Sequence, residues 1–316
     1  MARVLRISQA LLTRGLGAAC VLVALSTLVF LALRLLPGDP ATLILGDQAA
    51  PAARAALRAR LGLDRSLFAQ YLSFWSGLLR FDLGESLSRP GVQVLALVAG
   101  AFRPTAQLAA IAVGLGAVQG LLLAVLSVGP WLGRGRDWAH RLTLLLAALP
   151  LLAFAPLLTF VLAVRWRVVP LPGDPESGAV GLLFAAGLLS VPLAAQVARI
   201  GRAALLGNTR EKFLDVARAK GCSPLRVWLL HALPVSFPAI AVAIATQLGA
   251  LLGGAVVLER LFERPGLGTL MLNAYATRDI PVLEAAVIAA GFLFVVVQGL
   301  AGAVCAWIDP RGEQAS

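Results

Sequence analysis

Six long apolar segments constrain this sequence more than any other feature. Each has 18 to 24 residues without a Lys, Arg, Asp or Glu, and a helix needs about 20 apolar residues to cross a bilayer. Helices also satisfy their own backbone hydrogen bonds, which lipid cannot do for an irregular chain. We therefore predict an all-α membrane protein with six transmembrane helices. They are predicted at residues 16–33, 105–128, 142–164, 179–198, 235–258 and 285–308.

Composition supports this class and argues against others. The 316 residues are 59% hydrophobic and 14% charged, whereas soluble domains are about 25% charged. Three cysteines, Cys20, Cys222 and Cys305, do not form a disulfide framework. His140 and His231 lie far apart without a nearby cysteine or acidic cluster, so we predict no metal site.

The first apolar segment is predicted to be a retained span rather than a cleaved signal peptide. Its front is basic, as in a signal peptide, but its apolar run exceeds the usual limit of about 15 residues. No small-x-small cleavage site follows this apolar run before Arg34.

Lysine and arginine positions favour a cytoplasmic location for both termini. With the N-terminus inside, the inner segments hold 14 of these residues and the outer segments hold 13. The rule applies only to loops shorter than about 60 residues, and leaving out residues 34–103 gives 14 against 5. The net charge of +11 is then a membrane-orientation signature, and no nucleic-acid partner is predicted. The predicted cytoplasmic parts are 1–15, 129–141, 199–234 and 309–316, and the external parts are 34–104, 165–178 and 259–284.

The long external segment has two predicted helices. Pro51–Leu63 reads as a short amphipathic helix, with Arg54 and Arg58 on one face. Gln70–Leu79 is aromatic and apolar enough to lie against the outer membrane interface, where Tyr and Trp are favoured.

A basic stretch between the fourth and fifth apolar segments contains capping and turn residues that predict a helix, a turn and a second helix. Asn208 and Glu211 have the spacing of a capping box, which predicts a helix start at Asn208. Gly221 stands where a helix end favours a left-handed residue. Ser223 and Pro224 then provide an N-cap and a first-turn proline.

The apolar residues of this hairpin predict which sides are packed. Phe213, Val216 and Ala217 are predicted to form the apolar stripe of the first helix. Leu225, Trp228, Leu229 and Ala232 form that of the second, which Pro234 is predicted to end. Because both helices are too short to fold alone, they must pack on the neighbouring spans.

Three readings of the hairpin remain open at this point. Its basic residues can serve only to enforce topology, as in any cytoplasmic loop. A DNA-binding helix-turn-helix fits poorly, because no third helix is available and the membrane would crowd the duplex. The turn punctuation favours a docking surface for a cytoplasmic partner.

Five segments together resemble one family. The stretch "LDVARAKGCSPLRVWLLHALP" (Leu214–Pro234) resembles the EAA loop of ABC-importer permeases, which docks on an ATPase subunit. The chain is most similar to the first permease of the dipeptide/oligopeptide/nickel branch. Four further segments carry this likeness: "LRLLPGDPA" (Leu33–Ala41), "LGLDRSLFAQYLSFWSGLLRFDLGESLS" (Leu61–Ser88), "LLGGAVVLERLFERPGLGTLMLNAYATRDIPVL" (Leu251–Leu283) and "DPR" (Asp309–Arg311).

The chain also departs from this family pattern. Phe81 stands where the family often has glycine, and Ser66 where it usually has proline. Asp215 replaces the glutamate of the EAA loop, which keeps the charge with a shorter reach.

The resemblance implies a type I ABC importer permease fold in a bacterial inner membrane. It implies three partners: a second permease, ABC ATPase subunits and an extracytoplasmic solute-binding protein. It further implies that ATP and Mg²⁺ bind the ATPase and that this chain is not an enzyme. Independently, neither of the two lysines, Lys212 and Lys220, follows a glycine-rich phosphate-binding pattern. The ATPase-coupling residues implied are Asp215, Ala217, Arg218, Ala219, Gly221, Ser223, Pro224 and Trp228.

Candidate residues for the path and for docking are less specific. Gln107, Gln119, Gln247 and Gln298 are predicted to face the bundle interior, because buried amides need partners, and there they line the path or bond neighbouring helices. Pro265, Gly266 and Asp279 are either binding-protein docking points or a structural turn. The alternative function is a secondary transporter or channel, which usually carries ionisable groups inside its spans. Pro150, Pro156 and Pro192 are expected to interrupt spans three and four.

Overall fold

The computed structural model is predominantly helical in the part of the chain that it describes, residues 2–35, 42, 45–46, 49–60, 62–129, 132–208 and 211–308. Within these ranges, the helices are joined by turns and irregular segments, and one isolated antiparallel bridge pairs Glu85 with Gln93. Residues 36–41 of the Leu33–Ala41 motif, the Asp309–Arg311 motif and the predicted 309–316 tail lie outside the described residues.

Twelve helices are numbered here in chain order. They are α1 Ala2–Arg34, α2 Pro51–Arg60, α3 Leu67–Arg80, α4 Val94–Val128, α5 Gly135–Ala148, α6 Leu151–Thr159, α7 Gly178–Gly207, α8 Lys212–Ala219, α9 Pro224–Val227, α10 Leu233–Leu261, α11 Leu267–Ala276 and α12 Ile280–Ile308. A π-helical turn extends α6 to Arg165, and another joins α9 to α10 over Trp228–Ala232.

Five described helical stretches are long and apolar enough to cross a membrane. They are Gly15–Arg34, Val94–Val128, Gly178–Gly207, Pro224–Leu261 and Ile280–Cys305. A sixth span is reached only if α5 and α6 count as one, and these two helices are bent by 103°. The all-α class with six apolar segments is therefore confirmed, with the third span broken.

A single proline accounts for the break in the third span. Pro150 lies between α5 and α6 with extended torsion angles, φ −70° and ψ 130°. Proline lacks an N–H and pushes the residue before it out of the helical region. By contrast, Pro156 and Pro192 lie inside continuing helices, so the expectation that they interrupt their spans is wrong.

The chain divides into two compact units. The first comprises Met1–Thr105 and Pro265–Val295. In its core, apolar residues of α4 around Val98 pack with Leu267 and Ala274 of α11 and with Val282 of α12. The Thr105 hydroxyl accepts the Leu267 N–H at 2.8 Å, which fixes the start of α11.

The second unit, Ala106–Arg264 and Val296–Ser316, is organised around close helix packing. Gly116 and Gly120 stand four residues apart on α4, where a Cβ on Gly120 would lie 2.6 Å from Cβ of Val197 on α7. Small residues at this spacing let two membrane helices approach closely. Gly254 of α10 likewise abuts Leu189, so its close approach is within this chain.

Candidate functional site

The turn of the basic hairpin is closed by two backbone hydrogen bonds. The Gly221 N–H donates to the Arg218 carbonyl at 2.9 Å, and the Cys222 N–H donates to the Ala217 carbonyl at 3.2 Å. Gly221 has φ +81°. This is the Schellman arrangement, which satisfies the last carbonyls of α8. The predicted left-handed glycine is confirmed.

The second helix of the hairpin also begins as predicted. The Ser223 side chain accepts the Arg226 N–H at 3.4 Å, and Pro224 occupies the first turn of α9. Proline is favoured there because that N–H has no helical acceptor. Ser223 and Pro224 are both exposed.

The predicted start of the first helix is wrong. Asn208 is the C-cap of α7, and Glu211 precedes α8 without a side-chain capping bond. The Asn208 amide instead donates to the Ser236 hydroxyl at 2.9 Å. The Asn208 side chain therefore bonds a residue that is distant in sequence, instead of capping the first helix of the hairpin.

One face of the hairpin packs on the ends of the neighbouring spans. Leu214 and Ala217 of α8 are buried together with Trp228, against residues such as Val128 of α4 and Leu205 of α7. One face of the hairpin is therefore packed against the ends of the membrane helices.

The opposite face of the hairpin is exposed and partly apolar. Phe213 and Val216 are 40% and 53% exposed, so their predicted packing with Ala217 is wrong. On the second helix, Leu225 and Leu229 are 48% and 40% exposed, while Trp228 is buried. An exposed apolar surface of this kind is typical of a protein interaction site.

Charged residues flank this exposed surface. Asp215 and Arg218 form an ion pair at 2.7 Å, three residues apart on α8. Both side chains are more than 40% exposed, and such pairs contribute at most about 1 kcal/mol. Ala219 and Gly221 are exposed beside them.

The hairpin continues into α10 without a break. The helical stretch runs from Pro224 to Leu261, so the prediction that Pro234 ends the second helix is wrong. A π-helical turn over Trp228–Ala232 precedes this proline. Local widening of this kind accommodates a residue that cannot donate a backbone hydrogen bond.

The spans around the hairpin are joined to one another by side-chain hydrogen bonds. An Arg202 guanidinium N–H donates to the Ser127 carbonyl at the end of α4. Together with the Asn208–Ser236 bond, this ties the ends of α4, α7 and α10 that lie next to the hairpin to one another. None of these ties has a local sequence signal.

The four predicted path glutamines do not share one environment. Gln107, Gln119 and Gln298 are exposed on their helices and Gln247 is half-buried, so their assignment to the path or to bonds between helices stays a prediction. Gln119 accepts a hydrogen bond from Ser190 at 3.2 Å. An amide exposed within an apolar span still requires a polar neighbour.

The candidate docking residues near α11 differ from one another. Pro265 is exposed, whereas Gly266 is buried as the N-cap of α11. Asp279 is 1% exposed. Its carboxylate is therefore not available at the surface, which favours the structural alternative for this residue.

Asp279 fastens the loop between α3 and α4 to the start of α12. Its carboxylate accepts the hydroxyls of Ser86 and Ser88 at 2.5 and 2.7 Å, and the N–H groups of Leu87 and Ser88 at 3.2 and 3.0 Å. Burial alone would raise the pKa of this carboxyl, but these hydrogen bonds outweigh it and hold the pKa below its usual value. The sequence motifs gave no indication of this pairing.

A second polar link in the same unit joins α1, α3 and α12. Arg34 forms an ion pair with Glu284 and donates to the Gln70 side chain at 3.1 Å. Its guanidinium lies 3.6 Å above the Phe30 ring centroid. Arg34, Gln70 and Glu284 border a cavity of about 320 Å³. Their position at the ends of apolar segments was a signal that sequence reasoning missed.

Fold and hairpin together define a multi-pass membrane protein with a packed interhelical hairpin that presents an exposed surface. Residues 93–313 match the family model "Binding-protein-dependent transport system inner membrane component", and residues 7–89 match its N-terminal companion model. The chain belongs to this family. It is an importer permease of the inner membrane.

Relatives over almost the whole length agree with this assignment. The chain is 30% identical over 311 residues to the "Probable peptide ABC transporter permease protein" of Sinorhizobium fredii, covering 95% of this chain and 98% of the relative. It is 32% identical over 303 residues to the "Glutathione transport system permease protein" of Pectobacterium atrosepticum, covering 94% and 96%.

A solved structure supports the fold alone. A chain of the MetNI methionine ABC transporter in an inward-facing conformation has a TM-score of 0.55 and 19% identity, covering 67% of this chain and 96% of the other. The type I importer permease fold is thereby confirmed.

Proposed function

We propose that this permease imports peptides and that residues 208–234 couple it to a separate ATPase. The single observation that carries the coupling role is the two-faced hairpin. Leu214 and Trp228 are buried on the spans, while Phe213 and Val216 are exposed. One side of the hairpin is packed on the spans, and the other exposes an apolar surface on which a partner can bind. Such a hairpin is suited to pass a movement of the bound partner into the membrane helices.

The peptide cargo is supported by the relatives rather than by a site in this chain. Those named above are a peptide permease and a glutathione permease, and glutathione is itself a tripeptide. The candidate path glutamines Gln107, Gln119 and Gln298 are exposed on their helices. We propose that a second permease subunit faces them and that cargo passes between the two chains.

The ATP chemistry is assigned to the partner. ATP and Mg²⁺ would bind the ATPase subunits, and an external solute-binding protein would deliver the peptide. This chain would contribute movement without catalysis. Both termini would be cytoplasmic, in accordance with the bias of lysine and arginine.

Uptake by the reconstituted complex tests the cargo. Proteoliposomes would contain this chain, its companion permease and ATPase subunits, and the binding protein would be added outside with radiolabelled dialanine or glutathione. We expect ATP-dependent accumulation of one of these peptides. ATP-dependent uptake of another solute class, with both peptides excluded, would refute the peptide assignment while leaving the coupling role intact.

Two matched substitutions test the coupling surface. Val216→Glu changes an exposed residue, so thermal stability should stay within about 0.5 kcal/mol of wild type, while binding of the ATPase weakens. Leu214→Ala removes a buried side chain and should cost about 2–5 kcal/mol of stability. Normal ATPase binding by the Val216→Glu variant would contradict the proposed surface.

Cysteine labelling tests the orientation. Cys222 is half-buried in the turn, and Cys20 and Cys305 can be replaced by serine. We expect Cys222 in intact cells to react with a membrane-permeant maleimide and to resist an impermeant one. Reaction with the impermeant reagent would place the hairpin outside and refute the coupling role.

A further inference from the structure

Helix α3 has three distinct faces. At about 100° per residue, Tyr71, Phe74 and Leu78 fall in one sector. Phe68, Leu72 and Leu79 fall in a second, and Ser73, Ser76 and Arg80 fall in a third. The first sector is half-buried, and the other two are exposed.

The first face packs on the end of the first span. The Tyr71 hydroxyl lies 2.8 Å from the Thr27 hydroxyl. The Phe30 ring packs edge-on against Tyr71 and at a tilt against Phe74, and its centroid lies 5.2 and 5.4 Å from theirs. Near the helix start, Gln70 accepts a hydrogen bond from Arg34.

These contacts set the depth of α3 relative to the membrane. Thr27 lies seven residues before Arg34, the last residue of the first span, which corresponds to about 10 Å along a helix. The headgroup zone on each side of the hydrocarbon core is about 5–8 Å thick. Helix α3 is therefore held at the boundary between acyl chains and headgroups, and this holds whichever side of the membrane that end faces.

The second face is left mostly uncovered by the part of the chain that the structure describes. Phe68, Leu72 and Leu79 are 70%, 53% and 74% exposed. Isolated exposed apolar residues are ordinary, but these three form one stripe on a helix fixed at membrane depth. The third face carries two serines and an arginine, which are polar side chains suited to contact with water and lipid headgroups.

We propose that α3 is an interfacial helix whose Phe68, Leu72 and Leu79 side chains insert among the lipid acyl chains. Amphipathic helices with this division of faces lie in the plane of the membrane interface. The occupant of the stripe is lipid, because the contacts of α3 with Thr27 and Phe30 hold this apolar stripe at the depth where the acyl chains begin. Ser73, Ser76 and Arg80 face the headgroups and water.

Fluorescence quenching by brominated lipid tests this proposal. Single cysteines would replace Leu72, Leu79 or, as the matched control on the same helix, Ser76, in a chain without Cys20, Cys222 and Cys305. Each would be labelled with an environment-sensitive NBD dye in the assembled complex, in nanodiscs of phosphatidylcholine with or without brominated acyl chains.

The dye at positions 72 and 79 should emit at shorter wavelength and lose at least half of its intensity in brominated lipid. At position 76 it should lose little. Equal, weak quenching at all three positions would overturn the proposal. So would shielding of positions 72 and 79 that arises only when the binding protein is added, because the stripe would then be a protein-docking surface.

Discussion

The turn at Gly221 gives the sharpest test of the hairpin's role. At φ +81° an L-residue is strained by about 1–2 kcal/mol, and a β-branched side chain is a pronounced outlier there. A Cβ at this position would meet no atom within 4 Å. Replacement by valine therefore strains the backbone, while its Cβ meets no neighbouring atom.

The strain can be converted into a measurable change. A cost of 1–2 kcal/mol increases the population of the opened turn by about 5- to 30-fold. Opening breaks the two hydrogen bonds that Gly221 and Cys222 donate, so the hairpin would no longer move as one body. We expect Gly221→Val to lower peptide uptake per ATP hydrolysed several-fold, while the complex still assembles.

The matched control is Gly221→Asn, because asparagine tolerates the left-handed region far better than valine does. Both variants would be reconstituted with the partner subunits, and uptake and ATP hydrolysis would be measured on the same vesicles. Equal coupling in the valine variant, the asparagine variant and the wild type would refute the role of a rigid turn.

Three further changes test other parts of the structure. Phe81→Gly should raise the free energy of unfolding by about 1 kcal/mol in thermal unfolding, because Phe81 has φ +58°; Phe81→Ala should not, since it keeps the strain. Asp279→Ala should cost about 1–3 kcal/mol by leaving buried donors unpaired. The folded-state pKa of Asp279 is lowered. Its contribution to stability is therefore full above about pH 4 and is lost as the pH falls through the folded-state pKa. Unfolding scans at different pH should show this loss for the wild type but not for the Asp279→Ala variant. Gly120→Leu should destabilise the fold by about 1–3 kcal/mol, and Val197→Ala should partly restore the lost stability. Gly253→Ala should have no comparable effect, because Gly253 faces open space.

The parts of the fold set by local chemistry were predictable from the sequence. The apolar segments specify helices because lipid permits few other structures. Gly221 and Ser223–Pro224 specify a turn and a helix start because their backbone preferences act over a few residues. Each of these features is present at the predicted residue.

The features that depend on distant partners were not predictable. Asn208 has the local signature of a cap, yet Ser236, 28 residues away, takes its side chain. An eight-residue helix such as α8 offers two apolar faces that share Ala217, and only packing selects Leu214 over Phe213. Pro150 breaks a span whereas Pro192 does not, because neighbouring helices decide which freed backbone groups are satisfied.

The two connections of the hairpin differ in a way that bears on transport. Toward α10 the chain is helical from Pro224 to Leu261, a length of about 57 Å at 1.5 Å per residue. Toward α7 the helix ends at Gly207, and the Asn208–Ser236 hydrogen bond ties that end back to α10. A push on the hairpin is therefore passed directly along the fifth span. The movement reaches the fourth span indirectly, through the Asn208–Ser236 hydrogen bond at the end of α7. If the ATPase moves the hairpin, the fifth span should tilt with it and the fourth should follow by a smaller angle. That asymmetry arises from one uninterrupted helix and one side-chain hydrogen bond.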